Sequence, residues 1–190
     1  IISNQTKIVV CSIRALLQPI ISNDLDASKI RIKSNATFNM SELITLLIKF
    51  GFTRADLVER RGEFAVRGGI LDLFPADQEH PIRIDFFGDE IDELNFFSIS
   101  DQRSMDKILN EIVIYPCREL LIDDNLKQKA QELGNNFPEI SELTEKIDAG
   151  IYFEGIESLA AGLVESFKML TDYLSNASQI WLVDEPRIRS

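Results

Sequence analysis

One histidine and two cysteines in 190 residues leave this chain with little of the chemistry a small domain can perform. The cysteines, Cys11 and Cys117, stand apart beside the apolar runs IVVCS and IVIYPC. With no CxxC pair and no Cys/His cluster, the sequence offers no zinc site. Both are expected to be reduced, buried thiols of a cytoplasmic protein. His80 sits in a polar loop next to Pro81, with no Ser or Cys partner in view for nucleophilic catalysis. The pattern G-x-x-x-x-G-K-[ST] is absent, so nothing cradles a nucleoside triphosphate in the P-loop manner. VDEP at 183–186 resembles the end of a Walker B strand, but without a P-loop it reads as an acidic turn. No apolar run approaches the roughly 18 residues of a membrane span. The opening IISNQTK has no initiator Met and no basic stretch ahead of an apolar one, so no secretory signal is expected. With the abrupt ending RIRS, it is what a piece of a longer protein would present.

Positive charge is also scarce. The net charge is −11, which argues against clamping nucleic acid by bulk electrostatics, since phosphate binding needs clustered Lys and Arg. One stretch departs from the acidic background. Residues 54–67, RADLVERRGEFAVR, carry Arg54, Arg60, Arg61 and Arg67 against three acids. Such an island suits an acidic protein surface.

What is present is a set of readable elements. KIVVC at 7–11 reads as a buried strand, Ser12 caps the helix IRALLQ, and Pro19 stops it. A polar connector, SNDLDASKIRIKSNATFN, leads to SELITLLIKFG, whose Leu43, Leu46, Leu47 and Phe50 form a helical stripe ended by Gly51. DLVE and EFAVRGGILDLFP read as strands, with a turn or bulge at Gly68-Gly69. IRIDFF at 82–87 alternates: Ile82, Ile84 and Phe86 share one side, Arg83, Asp85 and Phe87 the other. GDE turns the chain, and IDELNFFS returns as the hairpin partner. IVIYP at 112–116 is another strand. LKQKAQELG, EISELTEKIDAG and GIESLAAGLVESFKMLTDYL read as helices, and QIWLV at 179–183 as a buried strand holding Trp181 in the core. The fold class is α/β: a body with a parallel sheet, and inserted into it an α+β, largely antiparallel module. The expected boundaries are 1–33 and 116–190 for the two halves of the body and 34–115 for the insert.

Residue types alone stop at a binding or scaffold domain. The clustered acids Asp85, Asp89, Glu90 and Asp92 flank a hairpin turn, where turn chemistry explains them. Phe87 is harder to explain, because a large aromatic lies on the charged side of its strand.

Two segments resemble one known pattern. GEFAVRGGILDLFP at 62–75 and IRIDFFGDEIDELNFF at 82–97 resemble the UvrA-binding module shared by the nucleotide-excision repair protein UvrB and the transcription-repair coupling factors (Mfd). DQRS at 101–104, EIVIYPCREL at 111–120 and GIYFEGIESL at 150–159 look more like the coupling factors. The resemblance implies a degenerate, helicase-like α/β body that has lost its P-loop and carries an inserted module. It implies a non-catalytic adaptor that docks onto UvrA and recruits repair to stalled RNA polymerase, with a UvrB fragment as the alternative. It further implies that ATP and Mg, RNA polymerase and DNA are handled by other domains of a cytoplasmic parent protein, and that a domain at the far C-terminus covers the module at rest. No cofactor, metal or membrane contact is expected of this stretch. Carried over residue by residue, the partner contacts fall on Arg67, Arg83 and Phe87. The arginines would meet acidic groups and Phe87 an apolar pocket. Asp85 is expected to orient Arg83, and Arg54, Arg60 and Arg61 lie near the same sheet.

Overall fold

The computed structural model describes residues 8–21, 29–174 and 178–183, without the side chains at 106 and 107. In chain order the elements begin with α1 (Ile13–Leu17), β1 (Ile20–Ile21), β2 (Ile30–Lys33), α2 (Met40–Lys49) and β3 (Thr53–Arg54). Next come β4 (Glu63–Arg67), β5 (Ile70–Leu73), β6 (Ile82–Phe87), β7 (Glu90–Phe97), β8 (Ser104–Ile108) and β9 (Glu111–Ile114). The last third holds α3 (Asp124–Asn136), α4 (Ser141–Asp148), α5 (Ala160–Leu163) and β10 (Phe167–Lys168). Two compact units result, one of residues 23–163 and one of residues 1–22 with 164–190.

The larger unit is built on a six-stranded sheet in the order β3-β4-β5-β6-β7-β8. Only β3 and β4 run parallel; the other neighbours are antiparallel hairpin partners. The class is therefore mixed α/β with a mostly antiparallel sheet, as the alternating runs and turn residues imply. One face of the sheet carries Phe64, Leu71, Leu73, Ile82, Ile84, Ile91 and Leu94, all at most 2% exposed. Leu43 and Leu47 of α2 pack into that core, together with Ile30 and Ile32 of β2 and Ile112 and Ile114 of β9. Asn39 caps α2 by accepting a hydrogen bond from the Glu42 amide at 3.1 Å. Gly51, at φ +81°, ends it in a geometry that disfavours a side chain. The pairing of β6 with β7 slips between Asp85 and Phe86: Asp85 faces Glu93, Phe86 faces Ile91, and Asp92 is left over as a bulge.

Several elements differ from the sequence reading. KIRIK is not connector but β2, paired antiparallel with β9, Ile30 and Ile32 inward and Arg31 and Lys33 outward. Its alternation is short and surrounded by polar residues, which hid it. DLVE is loop rather than strand, and its Val58 is buried beneath the opposite sheet face. β8 pairs with β7 although no apolar run marks it. The helical period over 155–174 spans two units. It breaks into a 3-10 turn at Ile156–Leu159, α5, β10 and a second 3-10 turn at Leu170–Tyr173.

In the smaller unit, β1 and β10 pair antiparallel. Residues 8–11 and 179–183 form no strands. Ile8 and Val10 are about 90% exposed and Trp181 is 83% exposed, so Trp181 is not core. A continuous apolar strand needs pairing at both edges and packing on both faces, and the described residues supply neither here. Cys11 is exposed, also against expectation, while Cys117 is half-buried. Residues 184–186 of VDEP lie outside the described residues. Among the described residues no helix is long and apolar enough to cross a membrane, and no group of three His, Cys, Asp or Glu is placed to hold a metal.

Two outcomes test this packing. Leu71→Ala should lower unfolding free energy by about 2–5 kcal/mol in urea titration, because Leu71 is wholly enclosed. Burial raises the Cys117 thiol to about 11. Cys117 should therefore react with a thiol reagent at pH 8 at least roughly tenfold more slowly than exposed Cys11, as followed by mass spectrometry.

Candidate protein-binding face

The second face of the sheet is where the charges gather. Hairpin register aligns them in rows. Ala65, Asp72, Arg83 and Asn95 form one row, and Arg67, Ile70, Asp85 and Glu93 form the next. Beyond these, Phe87 faces Glu90 at the end of the β6–β7 hairpin. At the other end, Phe97, Phe74, Ala65 and Val58 make a small second core.

Asp72 sits at the centre, 1% exposed. Its Oδ1 accepts from Arg83 Nε at 2.7 Å, and its Oδ2 accepts from Arg83 Nη2 at 2.9 Å and from Arg67 Nη2 at 2.7 Å. Arg83 thus grips the carboxylate with two parallel bonds, the strongest arrangement the guanidinium offers. Its remaining Nη1 donates to the Gln102 carbonyl at 3.1 Å, and its guanidinium carbon lies 4.8 Å from the Phe97 ring centre. The hydrogen bond to Asp72 holds the Arg83 guanidinium above its ordinary pKa, against burial, which pulls the other way. An isolated buried carboxylate would be strongly disfavoured. Two guanidinium groups make this one tolerable.

The expected site residues occupy distinct positions. Phe87 is 81% exposed. The side chain of Arg67 is 43% exposed and that of Arg83 only 11%. The sequence points to Asp85 as the carboxylate that orients Arg83; the structure gives that place to Asp72. Asp85 lies one row further on, opposite Glu93, and pulls on Arg83 by charge alone. The signal for Asp72 was a lone acid inside the apolar run ILDLF, opposite Ala65 across the hairpin. Arg61 lies 4.9 Å from the Phe74 ring centre and donates twice to the Gln78 carbonyl, so it seals the small core. Arg60 is exposed, and its amide donates to Glu63 at 2.9 Å. Arg54 is exposed and pairs with Phe64, on the other side of the sheet from Arg67. The structure brings Arg67, Arg83 and Phe87 to one face, together with Asp85. It does not bring Arg54 there.

This geometry suits protein docking: a preset cation and an exposed aromatic stand on a rigid sheet. Comparison with known proteins points the same way. Residues 30–120 match the family model described as UvrB interaction domain. The chain is 34% identical over 96% of its length to the transcription-repair-coupling factor of Mycobacterium tuberculosis, and 32% identical over 93% to that of Myxococcus xanthus. It is 31% identical over 68% of its length to UvrABC system protein B of Fervidobacterium nodosum. The chain spans 16% of the length of each of the two coupling factors and 20% of the third protein.

Burial, with Glu93 opposite, holds the Asp85 carboxyl above the ordinary aspartate range despite the pull of Arg83. A raised carboxyl pKa means the folded state binds the proton more tightly than the unfolded state. Ionised Asp85 therefore weighs against the fold above that range and is neutral below it. Asp85→Asn should raise the melting temperature at pH 7, and the gain should shrink to nothing by about pH 3 in a calorimetric series.

Proposed function

Residues 30–120 belong to the UvrB interaction domain family, and from that premise we propose that this chain is the UvrA-docking adaptor region of a transcription-repair coupling factor. The observation that carries the reading is Phe87, 81% exposed on the same sheet face as Arg67 and the Asp72–Arg83 pair. Aromatic and arginine side chains are the types that carry most binding energy at protein interfaces, and here one of each is exposed on one rigid face. Phe87 enters an apolar pocket of UvrA. Arg67 meets an acidic group there, and Arg83 and Asp85 lie beneath and beside that contact. The chain supplies no catalysis in this reading. ATP and Mg, RNA polymerase and DNA belong to other parts of a cytoplasmic whole protein, whose C-terminal domain covers this face at rest. The net charge of −11 supports leaving DNA to those other parts.

The alternative, a UvrB fragment with the equivalent module, is favoured less. The match to UvrABC system protein B covers 68% of the chain, whereas two coupling factors match over 93% or more.

In a titration calorimetry experiment with UvrA, Phe87→Ala should weaken binding by roughly 30-fold, the loss of about 2 kcal/mol typical of a hot-spot aromatic. Its melting temperature should stay at the wild-type value, because the ring is exposed. Binding that survives both Phe87→Ala and Arg67→Glu in folded protein would sink the assignment.

A further inference from the structure

The three groups Arg67, Asp72 and Arg83 do not stand equally to solvent, and their bonding separates their roles. Arg83 is 11% exposed, with Nε and Nη2 on Asp72, Nη1 on the Gln102 carbonyl and its plane near Phe97. Arg67 gives one nitrogen to Asp72 and keeps 43% of its side chain exposed. Two cations and one anion leave a single net positive charge, and its accessible edge belongs to Arg67. Asp72 itself is 1% exposed, so it touches no incoming partner.

We propose that Asp72 is the positioning residue of the docking face: it holds Arg67 in its presented orientation, and Arg83 acts on the partner through Asp72 rather than by contact. This rests on the UvrA-docking reading above. A free arginine side chain loses rotamer freedom when a partner captures it, and one already held at one nitrogen loses less. Arg83 neutralises the Asp72 charge and locks the carboxylate plane. Asp72 then offers its second oxygen's remaining lone pair to Arg67 along a fixed direction. The arrangement spans three adjacent strands, so the orientation of Arg67 is tied to the sheet and not to a loop.

The test is a double-mutant cycle by calorimetry with UvrA, with folding of each variant followed by thermal melts. Asp72→Asn should weaken binding roughly tenfold, and adding it to Arg67→Gln should cost no more than about a further twofold. Added to Phe87→Ala, its loss should multiply in full. A residue that merely supports the fold would weaken all backgrounds alike, so multiplication on the Arg67→Gln background overturns the proposal. So does unchanged binding by folded Asp72→Asn. Should that variant fail to fold, NMR of the unmutated chain decides. Slow rotation of the Arg67 guanidinium is expected, and free averaging overturns the inference. A wild-type chain that does not bind UvrA at all removes the docking reading instead, while the NMR result still reports on the Asp72–Arg67 coupling.

Discussion

A single buried carboxylate organises the charged face of this sheet. Asp72 stands on the central strand of a three-strand block, and its two oxygens tie β5 to β4 through Arg67 and to β6 through Arg83. Through Arg83 the tie extends to the 98–103 loop, whose Gln102 carbonyl accepts from the remaining guanidinium nitrogen, Nη1. Gln102 adopts φ 60° and donates to the Val58 and Ile99 carbonyls, so the two loops over the small core are fastened together. Remove the carboxylate and a nearly buried arginine loses its counter-charge, a loss that in comparable sites amounts to about 3–5 kcal/mol. The polar face is thus as determined as the apolar one, by different forces.

The two faces also divide labour. Packing against α2, β2 and β9 fixes the plane of the sheet and encloses the larger of the two apolar clusters on it. The other face needs that plane to be rigid, because hydrogen bonds of 2.7–2.9 Å tolerate little displacement between strands. Adaptor function under this reading asks nothing of the chain but a fixed presentation of a few groups.

Much of this was legible in the sequence, for identifiable reasons. Alternation in IRIDFF put Phe87 and Arg83 on one side because a strand has a strict period of two. Gly68-Gly69 and Gly88 marked the turns because the chain there bends in conformations that other residues resist; Gly68 and Gly88 have positive φ. The hidden parts were those decided by distant partners. Ile30 and Ile32 form a strand only because β9, some eighty residues on, lies beside them. Sequence proximity points Arg83 to Asp85, but cross-strand register brings Asp72 to it instead, and that register cannot be seen one strand at a time. IVVC at 8–11 and QIWLV at 179–183 depart in the opposite sense: composition favours strands, but among the described residues none pairs with them.

The bulge at Asp92 carries a consequence for how this hairpin tolerates change in length. In strict alternation back from Leu94, Asp92 would point into the core and Ile91 out of it. The extra residue reverses that phase, leaving Ile91 fully buried and Asp92 exposed. Losing one residue there is therefore the mildest change of length the hairpin can undergo: without Asp92, plain alternation runs Leu94 in, Glu93 out and Ile91 in, and every remaining side chain keeps its face. Other insertions and deletions should fall in loops such as 76–80, whose residues lie outside the strands and are mostly exposed. Gap placement between relatives of this chain becomes a structural question, with the bulge as a point in the β6–β7 pair where a residue can drop out while Phe87 stays facing outward.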